Sequence, residues 1–124
     1  MIATGSPVST VKYSNNGQFI AVGLTRSDGR VLLLDANLYG QIAQYQVTSS
    51  GISSLAFSPD DSLLVVGGTD NVFAVYNAMT TQPITAYSMN DTVRNVSFSP
   101  EGSLIAIATD KPEVIFLGIP YISG

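Results

Sequence analysis

The sequence predicts an all-β fold built from three copies of one four-stranded antiparallel meander, the last copy lacking its outer strand. Three observations carry this reading. An internal repeat runs through the chain, its strands are short and β-prone with turn residues between them, and no stretch keeps a helical period with caps. The repeat is plainest in residues 8–19 (VSTVKYSNNGQF), 52–63 (ISSLAFSPDDSL) and 93–104 (VRNVSFSPEGSL). Each begins with an aliphatic residue and continues to an aromatic, at Tyr13, Phe57 and Phe98, with spacings of 44 and 41 residues. Four-stranded propeller blades repeat at about 40–45 residues, so the three units read as blades of a β-propeller.

The elements follow in the same order within each unit. After the first strand comes a turn of Asn, Asp, Ser, Pro and Gly. Pro59 and Pro100 stand where a fixed φ suits the start of a type I turn. A short apolar strand follows at residues 19–23 (FIAVG), 63–67 (LLVVG) and 104–108 (LIAIA). These runs do not alternate, which suits strands buried on both faces in stacked sheets. The small residues Ala21, Gly23, Gly67, Gly68, Ala106 and Ala108 would let neighbouring sheets approach closely. A third strand is expected at 31–34, 72–76 and 113–117, and a fourth at 41–47 and 83–88. The units are thus about 8–51, 52–92 and 93–120, together forming one partial propeller over residues 1–124.

On residues 52–77 (ISSLAFSPDDSLLVVGGTDNVFAVYN) and 93–110 (VRNVSFSPEGSLIAIATD), the chain resembles the WD-repeat (WD40-like) propellers. The likeness extends from about residue 8 to 119. It departs from the family pattern where Trp-Asp is usual, reading Leu34-Asp35, Tyr76-Asn77 and Leu117-Gly118, and there is no histidine in the chain. The His–Asp–Ser–Trp network of the family therefore cannot form. Asp70, and Asp28 as its counterpart, match the structural aspartate of the turn between the second and third strands. The SPDG-like turns also leave open the bacterial YVTN type of propeller, with ligand-binding or enzymatic function in absent blades.

Propellers close with typically 4–8 blades, and three alone would expose large apolar faces. The resemblance implies an outer strand for the last blade from elsewhere, for which Ile2-Ala3-Thr4 offers a stub. Two readings follow. The chain is the C-terminal part of a larger propeller whose remaining blades lie elsewhere, or it pairs with another copy or a second chain to complete the ring.

Charge and chemistry narrow the function. Apolar residues make up 45% of the chain and charged residues 11%, against roughly 25% charged in an ordinary soluble domain. Nine acids against five bases argue against direct nucleic-acid binding, which needs clustered Lys and Arg. The absence of His and Cys removes the Ser–His and Cys–His nucleophile arrangements, so no catalytic residue is proposed. Neither metal site nor cofactor motif is seen, and Asp60-Asp61 reads as a turn pair. The apolar runs are too short for a membrane helix, and no signal peptide is visible. The expectation is a soluble, cytoplasmic or nuclear, non-enzymatic scaffold that binds other proteins.

Binding residues are sought in the loops at one face of the ring, residues 24–30, 48–51, 68–71, 88–92 and 109–113. Arg26 and Arg30 lie in the loop that carries an insertion, and Arg94 begins an inner strand near the same face. Each suits a carboxylate or phosphate partner, with internal pairing to Asp28, or to Asp91 or Asp110, as the plain alternative. Asn71, Asn90 and Lys111 are weaker candidates. Of two glycosylation triplets, Asn90-Asp91-Thr92 and Asn95-Val96-Ser97, the second falls in an inner strand and is expected to be inaccessible.

Overall fold

A computed structural model describes residues 5–25, 29–48, 51–69, 71–78, 82–88 and 91–118. Ile2-Ala3-Thr4, Arg26, Asp28, Asp70 and Asn90 lie outside the described residues. The chain forms three antiparallel sheets. The first holds β1 (Val8–Tyr13), β2 (Phe19–Leu24), β3 (Gly29–Asp35) and β4 (Gln41–Thr48). The second holds β5 (Ile52–Phe57), β6 (Leu63–Gly68), β7 (Val72–Asn77) and β8 (Pro83–Ser88). The third holds β9 (Val93–Phe98), β10 (Leu104–Thr109) and β11 (Val114–Gly118). Strands within each sheet neighbour one another in chain order, as a meander requires.

Register repeats down to its irregularities. Each inner strand carries a bulge at its second residue, between Val8 and Thr10, Ile52 and Ser54, and Val93 and Asn95. The bulged residues are therefore Ser9, Ser53 and Arg94. The turn after the inner strand closes alike three times. Ser14, Ser58 and Ser99 each donate a backbone N–H across it, to Phe19, Leu63 and Leu104 carbonyls at 2.9 Å. The third residue beyond each serine has positive φ, at Gly17, Asp61 and Gly102. Glycine adopts that conformation freely, and aspartate tolerates it at some strain.

The sheets stack face to face with the second in the middle. One apolar layer joins Ala21, Val31, Leu33 and Tyr45 of the first sheet to Ile52, Leu55, Leu64, Val66 and Tyr76 of the second. A second layer joins Leu63, Val65, Phe73 and Val75 to Val93, Val96, Ile105 and Ile107 of the third. Every residue of β6 is buried as a result, which is why its sequence shows no alternation. Tyr45 and Tyr76 stack with centroids 4.7 Å apart. The Tyr45 hydroxyl has no hydrogen-bond partner among the described residues, and burial pushes its pKa up to about 12.

The outer sheets differ. The central strands of the first sheet are buried on both faces, with Ile20, Val22, Leu24, Leu32 and Leu34 at most 7% exposed. In the third sheet the expectation of two-sided burial fails. Ile105 and Ile107 are buried, whereas Leu104, Val114 and Phe116 are 40%, 57% and 63% exposed. The sequence run LIAIA thus reads as continuous only because both of its faces are apolar. One face has no sheet against it among the described residues.

Replacing Leu64, fully buried between the first and second sheets, by alanine should cost about 2–5 kcal/mol in urea unfolding. Ile42→Ala, at a position half exposed on β4, should stay within about 0.5 kcal/mol. Equal effects would contradict the stacking order.

Candidate interaction surface

At one end of the stack the connections between sheets abut. The Thr69 N–H donates to the Gly51 carbonyl at 2.9 Å, and the Thr25 N–H to the Pro7 carbonyl at 3.0 Å. The Thr92 hydroxyl lies 3.4 Å from the Thr69 carbonyl and 3.5 Å from Asn71 Oδ1. Asn71 has a positive φ of 70° and is half-buried, so its side chain is engaged in loop packing.

Two of the sequence-predicted cations converge beside this group. Arg94 Nε donates to Asp110 Oδ1 at 2.5 Å, and Lys111 Nζ stands 3.3 Å from Asp91 Oδ2. The Arg94 pairing is the internal one the sequence allowed, and the hydrogen bond from Arg94 to Asp110 raises the guanidinium pKa further. Both side chains remain more than half exposed. Pairs so placed are weak, about 0.2–1 kcal/mol, and an incoming carboxylate can compete for them. Arg30 sits apart on the first sheet, half-buried, with Nη1 donating to Gln44 Oε1 at 3.2 Å. The triplet Asn95-Val96-Ser97 is not inaccessible, since Asn95 and Ser97 are exposed. Ser97 lies on the open outer face of the third sheet, while Asn95 Oδ1 still accepts from the Ser54 hydroxyl of the second sheet at 3.0 Å.

Sequence reasoning missed a second feature at the opposite end. The inner strands and their turns enclose a cleft of about 460 Å³, lined by Lys12, Tyr13, Phe57, Pro59, Phe98 and Pro100 among others. The repeat had marked the three aromatics, but only as a period. Their recurrence at one register, each beside a turn, was the available signal. Chemically the cleft offers proline and aromatic surface beside one ammonium group.

Two of the turns around the cleft are tied together by the Asp61 carboxylate. Asp61 reaches into the first repeat, accepting from the Asn15 and Asn16 N–H groups at 2.8 and 2.9 Å. It also accepts from Asn15 Nδ2 at 3.0 Å. These bonds offset the strain of its positive φ. In the third repeat the equivalent residue is Gly102, where an added Cβ would lie 3.3 Å from Pro59. Asp60 stays within its own turn, accepting from Ser62 Oγ at 2.6 Å, Ser62 N–H at 3.0 Å and Ser58 Oγ at 2.7 Å.

With fold and surface described, similarity to known proteins can be weighed. A family model described as "WD domain, G-beta repeat" matches residues 2–35 and 40–77. The chain belongs to the WD40 repeat family. The second match opens just before β4 and runs through β7, so a WD repeat in sequence lends its first strand to the preceding sheet. This assigns the matched repeats to the WD type, despite the missing Trp-Asp and His. Protein HIR1 of Candida albicans is 27% identical over 86% of this chain and 14% of its own length. Eukaryotic translation initiation factor 3 subunit I of Phaeosphaeria nodorum is 25% identical over 84% of this chain and 30% of its own. Human echinoderm microtubule-associated protein-like 2 is 36% identical over 56% of this chain and 10% of its own. The chain therefore spans 10–30% of the length of these relatives.

The Asp60 bonds supply a pH test. Chiefly the Ser62 hydroxyl, with the Ser62 amide and Ser58 hydroxyl, holds this carboxyl down at about 2, against 3.8 ordinarily. A depressed carboxylate adds stability that is present above the ordinary value and lost as pH falls through the folded one. Asp60→Ala should therefore lower stability at neutral pH and flatten its decline between about pH 4 and about pH 2, read by urea midpoints across that window.

Proposed function

We propose that this chain is a protein–protein interaction scaffold, a WD-repeat propeller segment acting within a larger ring or multi-protein complex. One observation carries the reading. Leu63, Val65, Phe73 and Val75 of the second sheet are covered by the third sheet, and their register equivalents there are Leu104, Ala106, Val114 and Phe116. Leu104, Val114 and Phe116 are exposed. A face of this composition favours a macromolecular neighbour. Remaining blades, or a second chain, would complete the ring.

Family membership supports a binding role without catalysis. Two relatives are named as subunits of larger factors, the initiation factor above and polyadenylation factor subunit 2 of Candida albicans. In this reading the cations are the recognition surface, with Arg94 and Lys111 at its centre and Arg26 and Arg30 as further contact candidates. Asn71 positions the loop, and the family pattern gives Asp28 and Asp70, outside the described residues, the structural turn role. The bound partners are proteins, and the compartment is cytoplasmic or nuclear.

Alanine at Arg26, Arg30, Arg94 and Lys111 together should weaken co-purification of the chain's partners by roughly tenfold or more, given about 1.4 kcal/mol lost in sum. Circular dichroism and urea midpoint should change little. Undiminished partner recovery would remove these loops as the recognition surface.

A further inference from the structure

The two junctions between sheets are built alike. At the first, the bulged Ser9 hydroxyl lies 2.5 Å from the Ile52 carbonyl of the second sheet and 3.1 Å from the Gly23 carbonyl of its own. At the second, the bulged Ser53 hydroxyl meets the Val93 carbonyl of the third sheet, and the Gly67 carbonyl at 3.0 Å. A hydroxyl has one proton to donate, and in both cases the nearer acceptor belongs to the next sheet.

The glycines repeat too. A Cβ on Gly23 would stand 2.6 Å from Ile52 Cγ2, and one on Gly67 2.5 Å from Val93 Cγ1. Neither glycine has positive φ, so both are there for space. Each junction thus consists of a bulged serine, a glycine recess and a β-branched leading residue that fills the recess.

The third sheet keeps the register and loses both parts. Its bulged residue is Arg94, and the residue opposite Asn95, where Gly23 faces Thr10 and Gly67 faces Ser54, is Ala108. Arg94 turns to Asp110 on its own sheet. The Ala108 methyl stands where the leading side chain of a following sheet would have to sit. Tight packing at these distances leaves no slack for one more carbon.

Head-to-tail stacking of a second copy meets a separate obstacle. To continue the stack it would have to present the second face of its first sheet. There Ile20, Val22, Leu24, Leu32 and Leu34 are already buried.

We infer that the exposed face of the third sheet accepts a sheet of different junction sequence, one led by alanine or glycine. It refuses a copy of this chain stacked head to tail, or any sheet led by isoleucine or valine. The inference rests on the scaffold reading and specifies its neighbour. Volume supports it, because a methyl added on one side is accommodated by removing branches on the other.

The chain has no cysteine, so Val114→Cys on the exposed face supplies a single thiol whose alkylation reports cover. To the full chain, a further sheet copied from residues 51–92 is joined by a flexible linker after Gly124, led by Ile or by Ala at the position of Ile52. The Ala-led sheet should slow alkylation roughly tenfold or more, as expected for a covered thiol, and the Ile-led sheet should not. In an Arg94→Ser, Ala108→Gly background the Ile-led sheet should slow it as well. Protection of the original face by the Ile-led sheet would overturn the inference. So would failure of the Ile-led sheet to dock on the restored junction, with circular dichroism confirming both chains folded. Because the sheet is supplied, the outcome does not depend on whether natural partners are found, and failure of the scaffold reading would be seen separately in partner recovery.

Discussion

Stacked sheets can share an apolar layer only if their backbones come close enough at the inner edge, and in this chain two glycines set that approach. Gly23 and Gly67 leave recesses that Ile52 and Val93 fill, and a bulged serine beside each recess ties the seated strand by its carbonyl. Everything outward of these points follows. The meanders fan away from the inner strands and bury their central strands between neighbours. Their connections collect at the two ends, one carrying the cations and the other the aromatic cleft. A side-chain network of the kind the family ordinarily uses is missing along with its histidine. Close packing and the serine bonds take over the work of orienting one sheet on the next.

Much of this was legible in the sequence because it is periodic. The aromatic at Tyr13, Phe57 and Phe98 fixed the repeat, and Gly, Asn and Pro marked the turns at nearly the right residues. Unbroken apolar runs announced two-sided burial, correctly for the first and second sheets. They misled for the third, since a run records what a strand could bury and not what covers it. Leu104 and Phe116 look like core residues and are exposed, with no sheet against them among the described residues. Pairing of Arg94 with Asp110 was foreseen as one option, but its place in the bulge was not. Bulges depend on which residues face each other across strands. Asp61 was likewise read as a plain turn residue. Its bonds to Asn15 and Asn16 span more than 40 residues of sequence and leave no local trace.

Function follows less directly than fold. The repeat family tells what kind of object the chain is, and the chain spans a minor part of each relative compared. What the molecule itself adds is asymmetry. One end sheet is buried on both faces at its centre, while the other is apolar, open and altered at both junction positions. A stack that ends in this way has a direction, and its open end is chemically distinct from the two junctions within it. That suits a segment placed against something else.

The central claim is that recess and leading residue are fitted to each other, and a double-mutant cycle on Gly67 and Val93 tests it most directly. Gly67→Ala should destabilise by about 1–3 kcal/mol through overpacking, and Val93→Ala by a similar amount through the cavity it leaves. Combined, the two should recover at least about 1 kcal/mol relative to their sum, as coupled contacts do. Additivity within about 0.5 kcal/mol would contradict the account, because it would show that the two residues do not share the space on which the stacking depends.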